Sequence, residues 1–371
     1  MGRARRRSGG GADEGGDAAV TVPALAGVAS SGSEPMDVGT AVARRRWRHL
    51  GPYWRLVGRR LLLAVPVLIG VSFLSFVVMN ALPGDAAQEL LGMSATPAQV
   101  HQLEVKLHLN LPFWTRYGNW LYAVVHGHLG TSLQSGQPVS QILGQRLPVS
   151  LELVVCAFVV SLVIAVPVAL IAARRPDGLF DRLTMLLSML GLAVAPYVLA
   201  LLLVLVLAVD LGWLPAEGFV SLADSVGGNI RSMVLPALSL GLGMAAFYVR
   251  ILRADVLEQM DSEDYVTTAR AKGMSTWRVV VVHAFRNALF PIITVIALNF
   301  GRLLEGTVIV ETIFSIPGIG QELVTSIQVK DVPVVEGIVL VMAGIVVVSN
   351  LLTDVLYSVL DPRIRYGRAS A

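Results

Sequence analysis

The sequence predicts an all-α polytopic membrane protein with six transmembrane helices. Hydrophobic residues make up 54% of the 371 positions and charged residues only 15%, whereas a soluble domain carries roughly 25% charge. The apolar residues gather into stretches of about 20, the length that crosses a hydrocarbon core of about 30 Å. The basic residues sort themselves between alternate connections, as they do when cytoplasmic loops retain positive charge. The 29 Lys+Arg against 26 Asp+Glu leave a net charge of +3, too small to point to nucleic acid. The single cysteine, Cys156, excludes an intrachain disulfide; within the apolar run 153–171 it reads as a small buried hydrophobe.

Taken in order, residues 1–50 form a basic extension rich in Gly, Ala and Arg. It is too poor in large apolar residues to build a core and is expected to be disordered in the cytoplasm; attraction of its charge to anionic headgroups is the functional reading beside a solvated tail. Arg3, Arg5, Arg6 and Arg7 resemble the start of a signal peptide, but Gly-Gly-Gly-Ala-Asp-Glu follows instead of an apolar stretch, so cleavage is not expected. The membrane-spanning body is 51–371, with spans at about 61–81, 150–173, 184–209, 233–251, 288–310 and 333–359. The fifth is the interrupted one, because Arg302 and Glu305 fall inside it. Pro66, Pro167, Pro196, Pro236 and Pro291 lie within spans, where neighbours can satisfy the freed carbonyls; such kinks favour a gated bundle over an anchor. Before the first span there are 11 Lys+Arg, after the second 3, after the fourth 6 and in the tail 3, so 23 of 29 fall on one side. Both termini are therefore expected in the cytoplasm, with a long outer connection at about 82–147.

No phosphate-binding loop is present: Lys106, Lys272 and Lys330 are followed by Leu, Gly and Asp, not by Ser or Thr. ATP hydrolysis, if used, must come from another chain. His126-Gly-His128 has no cysteine or carboxylate beside it and reads as ordinary loop rather than metal site. No nucleophile, base and orienting residue group together, so the chain is not expected to be an enzyme, and neither a metal nor a bound cofactor is expected on it.

The most informative segment lies on the cytoplasmic side, at about 255–287. A helix is expected from near Ser262, with Glu263 and Asp264 in its first turn and Arg270 and Lys272 in its last, matching the helix dipole. Gly273 suits a left-handed stop. Ser275 or Thr276 can then cap a second helix from Trp277 to Phe285. Tyr265, Val266 and Trp277 are expected to be exposed, as a docking surface for a partner.

Those residues carry a resemblance. Tyr265-Val-Thr-Thr-Ala-Arg-Ala-Lys-Gly273 and His283-Ala-Phe-Arg-Asn-Ala-Leu-Phe-Pro291 resemble the cytoplasmic loop of binding-protein-dependent ABC importer permeases, in the form used by the dipeptide/oligopeptide (peptide/nickel) branch. Relative to the general motif, Thr267-Thr268-Ala269 replaces E-A-A and His283-Ala-Phe285-Arg286 replaces I-x-L-P. The likeness extends over nearly everything after residue 58. It includes Arg59-Arg-Leu-Leu-Leu-Ala-Val-Pro66, Leu82-Pro-Gly-Asp85, Gly130-Thr-Ser-Leu133, Pro138-Val139, Leu147-Pro-Val-Ser-Leu-Glu-Leu153, Phe314-Ser-Ile-Pro-Gly-Ile-Gly320 and Leu360-Asp-Pro-Arg-Ile-Arg365. Ala86, His128 and Ser150 depart from the branch's commoner Pro, Asp and Thr.

The resemblance implies a type I ABC importer permease-like fold in a bacterial inner or plasma membrane. It also implies a second homologous permease, two ABC ATPase subunits holding ATP and Mg, and an extracytoplasmic solute-binding protein; nucleic acid is not an expected partner. The expected ATPase-coupling surface is Tyr265, Thr268, Ala269, Arg270, Gly273 and His283. Polar residues inside spans are expected to face a passage: Asn80, Asn299, Arg302, Glu305 and Asn350, with Asp354 nearer the cytoplasm. Arg302 and Glu305, at i and i+3, read equally as a mutual pair. Pro97, Trp114, Tyr117 and Trp120 are expected to fold over the passage mouth and meet the binding protein. Peptides are the expected cargo, with nickel or oligosaccharide as alternatives. An ion-coupled secondary transporter and a receptor or scaffold remain readings from other classes.

Overall fold

Long apolar runs with no water to satisfy their backbone groups must close their hydrogen bonds locally, and the helix does so. The computed structural model describes residues 51–81, 88, 91, 95–106, 110–262 and 264–360. The extension expected to be disordered, most of 82–94 and residues 361–371 lie outside the described residues. In chain order the helices are α1 (Gly51–Ala81), α2 (Pro97–Lys106), α3 (Phe113–Val125), α4 (Val139–Arg174), α5 (Leu179–Ala193), α6 (Pro196–Leu203), α7 (Val226–Ser262), α8 (Asp264–Ala271), α9 (Thr276–Arg278), α10 (Phe285–Ile313), α11 (Ile319–Gln328) and α12 (Val332–Leu360). Wide π-helical turns follow α6 at Val204–Asp210 and α9 at Val279–Ala284. Among the described residues the sole strand-like pairing is the bridge between Thr131 and Pro138.

Five helical segments are long and apolar enough to cross a membrane: Val57–Ala81, Val139–Arg174, Val226–Asp261, Ile292–Ile313 and Val332–Val355. The pair Leu179–Ala193 and Pro196–Asp210, bent by 104°, makes the sixth. The interruption thus falls in the third span, not the fifth. Ala195 precedes Pro196, whose ring disfavours helical backbone at that position, and it is extended with φ −66° and ψ 143°. The bent pair still traverses the bundle. Asp181 at its start pairs with Arg253, and the carbonyl of Trp213 just past its end accepts from Arg231 at 3.3 Å. Those two arginines lie about 33 Å apart along α7. The fifth span, by contrast, runs unbroken past Arg302 and Glu305.

The core is the α4–α7 pairing. Ala157, Ser161, Ala165, Ala169 and Ala173 recur every fourth residue along α4 and are all buried, which lets backbones approach closely. At Gly241 of α7 an added Cβ would sit 2.9 Å from the Ala157 carbonyl. The most apolar stretch of α7 is 61% buried and that of α1 only 17%, so α7 is the central pillar and α1 the peripheral one. The long connection expected at about 82–147 ends earlier, since α4 already begins at Val139. Within it α3 lies along the flank of α1: Trp114 stacks on Phe73 with ring centroids 5.8 Å apart, and the Tyr117 hydroxyl lies 3.0 Å from Ser72 Oγ. Arg116 of α3 donates to Asn80 Oδ1 at 2.9 Å. Burial holds its guanidinium below the ordinary pKa, and the Glu336 charge opposes that shift.

Candidate coupling turn and polar cavities

At the end of the bundle that carries most of the basic residues, α7 hands over to α8, and α8 stops at Gly273. The stop is a left-handed one: Gly273 has φ +77°, and the Met274 amide donates back to the Ala269 carbonyl at 3.2 Å, the long bond of a Schellman cap. Space around Gly273 is open, with no atom within 4 Å of an added Cβ. The demand for glycine there is therefore conformational and not steric. Val266 and Ala269, at i and i+3, turn inward and are buried with Met260 of α7 and with Val279, Val280 and Ala284 of the π turn. Thr267, Thr268, Lys272, Gly273, Trp277 and Arg278 form the exposed side.

This geometry corrects two expectations. Val266 is fully buried, because at 3.6 residues per turn it shares the face of Ala269. The second helix does not end at Phe285. From Thr276 the chain stays helical through the π turn into α10 and on to Ile313, an unbroken rod about 55 Å long. Ser275 sits at the N-cap without a side-chain cap bond. Tyr265 ties α8 to α7 by donating to Gln259 Oε1 at 2.6 Å, and its ring lies 6.4 Å from that of His283. Tyr265, Val282, His283, Arg286 and Asn287 line a cleft in the turn. Of the expected coupling residues, Thr268 and Gly273 are exposed, Tyr265 and His283 half-buried and Ala269 buried; Arg270 lies on α8.

The polar residues inside the spans divide among three places. Asn80 binds the Phe76 carbonyl and accepts from Arg116, next to α3. Asn299 and Arg302 line a cavity of about 280 Å³ at the bend of the third span, with Gly191, Val194 and Pro196. Glu305 and Asn350 line a separate cavity of about 530 Å³ between α1, α10 and α12. Arg302 and Glu305, although on successive turns, thus face different cavities, and among the described residues they form no ion pair with each other. Asp354 closes the larger cavity by pairing with Arg60 at 2.9 Å.

Several polar residues that the sequence did not single out lock the opposite end. Glu311, fully buried at the end of α10, accepts at Oε2 from the amides of Gly320 (2.8 Å) and Gln321 (3.2 Å), at the N-terminus of α11. Ser150 Oγ of α4 accepts from the Ile319 amide at 2.8 Å. Side chains added at Gly318 or Gly320 would collide with the Glu311 carboxyl. Asp331 accepts from Ser132 Oγ at 2.5 Å and from the Leu133 amide at 3.0 Å, holding the loop before α4. Arg146 of α4 pairs with Glu322 of α11 at 3.0 Å. At the basic end, Arg253 of α7 forms a two-pronged pair with the buried Asp181 of α5. His126 donates from Nδ1 to the Tyr122 carbonyl at 2.8 Å.

The fold and these sites define an integral membrane protein of helices, with a compact helix–glycine–helix turn at one end and polar cavities between its spans. The chain belongs to the family of binding-protein-dependent transport system inner membrane components: residues 165–366 match that family's model and residues 53–154 match its N-terminal companion. It is similar to a putative peptide transport system permease protein of Brucella abortus, 40% identical over 311 residues that cover 84% of this chain and 99% of the relative. It is also similar to the dipeptide transport system permease protein DppB of Escherichia coli, 37% identical over 334 residues, covering 84% and 98%. The protein of the same name from Alkalihalophilus pseudofirmus is 37% identical over 328 residues, covering 83% and 98%.

Proposed function

We propose that the chain is one permease subunit of an ATP-driven importer that moves di- or oligopeptides delivered by a solute-binding protein. The observation that carries this reading is the Gly273 turn. It buries one face against the bundle, exposes the other, and continues without a break into a membrane-spanning rod. A carrier driven by an ion gradient has no use for such a contact. The names of the relatives favour peptides over nickel or oligosaccharide.

In this reading the basic end and both termini face the cytoplasm of a bacterial cell. Two ATPase subunits hold ATP and Mg and grip the exposed side of the turn, from Thr267 and Thr268 to Trp277. Tyr265, Ala269 and His283 transmit the push from beneath, and Arg270 stands with them on α8. A second, homologous permease completes the passage, and the chain itself holds no cofactor. ATP binding draws the ATPases together and tilts α10, tipping a bistable bundle between its two openings. The test is uptake of a labelled dipeptide into vesicles holding the whole complex. Uptake should require ATP and the binding protein and stop with orthovanadate; uptake abolished only by a protonophore would select the ion-coupled alternative.

A further inference from the structure

The larger cavity contains two polar groups with no partner. Among the described residues, neither the Glu305 carboxyl nor the Asn350 carboxamide makes a hydrogen bond or an ion pair. The remaining charges of the cavity cancel, since Arg60 and Asp354 pair at its basic end. Leu63, Val67, Val71, Met342 and Val346 supply apolar walls. Glu305 and Asn350 are both exposed and open onto the cavity; a carboxylate within a membrane span marks a site with a role, and one that no cation of the cavity matches selects a positively charged group. An anionic lipid headgroup is excluded by that sign. A bound metal ion is poorly served, because one carboxylate and one amide oxygen fall far short of the six or more oxygens that calcium takes.

We propose that Glu305 receives the free amino terminus of the transported peptide. An ammonium group offers three donors to a carboxylate. Asn350, one turn from Asp354 on α12, can pair with the peptide's backbone, and the aliphatic walls accept side chains without selecting among them. This assignment rests on the peptide-importer reading and adds to it the part of the substrate that the permease recognises.

The experiment is saturation-transfer NMR on the nucleotide-free complex without binding protein, with alanyl-alanine and N-acetyl-alanyl-alanine as probes. The wild type should bind the free peptide and prefer it to the acetylated one. Glu305→Gln should weaken the free peptide by roughly ten- to a hundredfold, the loss expected for a charge-assisted hydrogen bond, and leave the acetylated one unchanged. Glu305→Asp should recover part of the preference. Equal losses for both probes, an unaltered preference, or no binding to the wild type would overturn the assignment. So would failure of Glu305→Gln to co-purify with the second permease, which would make the carboxylate an interface group. Uptake by the wild-type complex separates the two readings: no peptide uptake sinks the importer assignment, whereas uptake without an amino-terminal preference sinks only this one.

Discussion

Glu311 illustrates how one buried side chain holds a short helix, α11, in place. Its carboxyl takes the amides of Gly320 and Gln321, two of the donors that a helix N-terminus leaves unsatisfied. Glu311→Ala leaves them buried without that acceptor, a loss of about 1–3 kcal/mol for each unsatisfied group. It should lower the thermal stability of the purified complex clearly more than Glu311→Gln, whose amide oxygen can still accept; equal melting temperatures would refute the capping role. The Phe314 to Gly320 motif was legible in the sequence as a pattern but not as a cap, because nothing in one dimension places Glu311 under the start of α11. The choice between a mutual pair and separate places for Arg302 and Glu305 stayed open in the sequence for a related reason. Spacing of i and i+3 allows a pair, yet tertiary packing puts a different cavity beside each.

At the scale of elements, the α4–α7 seam bears most of the packing. Gly241 faces the Ala157 carbonyl and Val160, with an added Cβ 2.9 Å from that oxygen, so Gly241→Leu must push the two helices apart. Overpacking of this kind costs about 1–3 kcal/mol. The expected result is a lower melting temperature in detergent, whereas Leu62→Ala on α1, at a residue 72% exposed, should change it little; similar shifts for both would contradict the seam. Each of the six apolar stretches falls on a long helix or on the bent pair, because length and apolarity need no tertiary information. Hydropathy misplaced the interruption, since Arg302 and Glu305 lower the hydropathy of α10 without bending it, while Ala195 and Pro196 bend the third span without making it polar. The α8 stop was legible from Gly273 alone. The fusion of the next helix with α10 was not, because four consecutive valines and His283 carry no capping signal that separates a loop helix from a span.

For the whole molecule, the proposed function makes the chain a lever: force would enter at the exposed side of the Gly273 turn, pass through the buried contacts of Val266 and Ala269, and travel along the rod from Thr276 to Ile313 to the cap held by Glu311. The Asp181–Arg253 pair ties the third span to α7 at the same end, so the proposed push would meet a braced frame. The charge segregation and the loop motif made the class of molecule legible, but the route of the lever required the packing. The most direct test is ATP-dependent peptide uptake by complexes carrying Gly273→Val or Gly273→Asn. Open space surrounds Gly273 and its φ is +77°, a conformation that asparagine tolerates and a β-branched residue resists. The account predicts a fully assembled Gly273→Val complex with uptake abolished, and substantial uptake by Gly273→Asn. Full ATP-dependent uptake by Gly273→Val would contradict it.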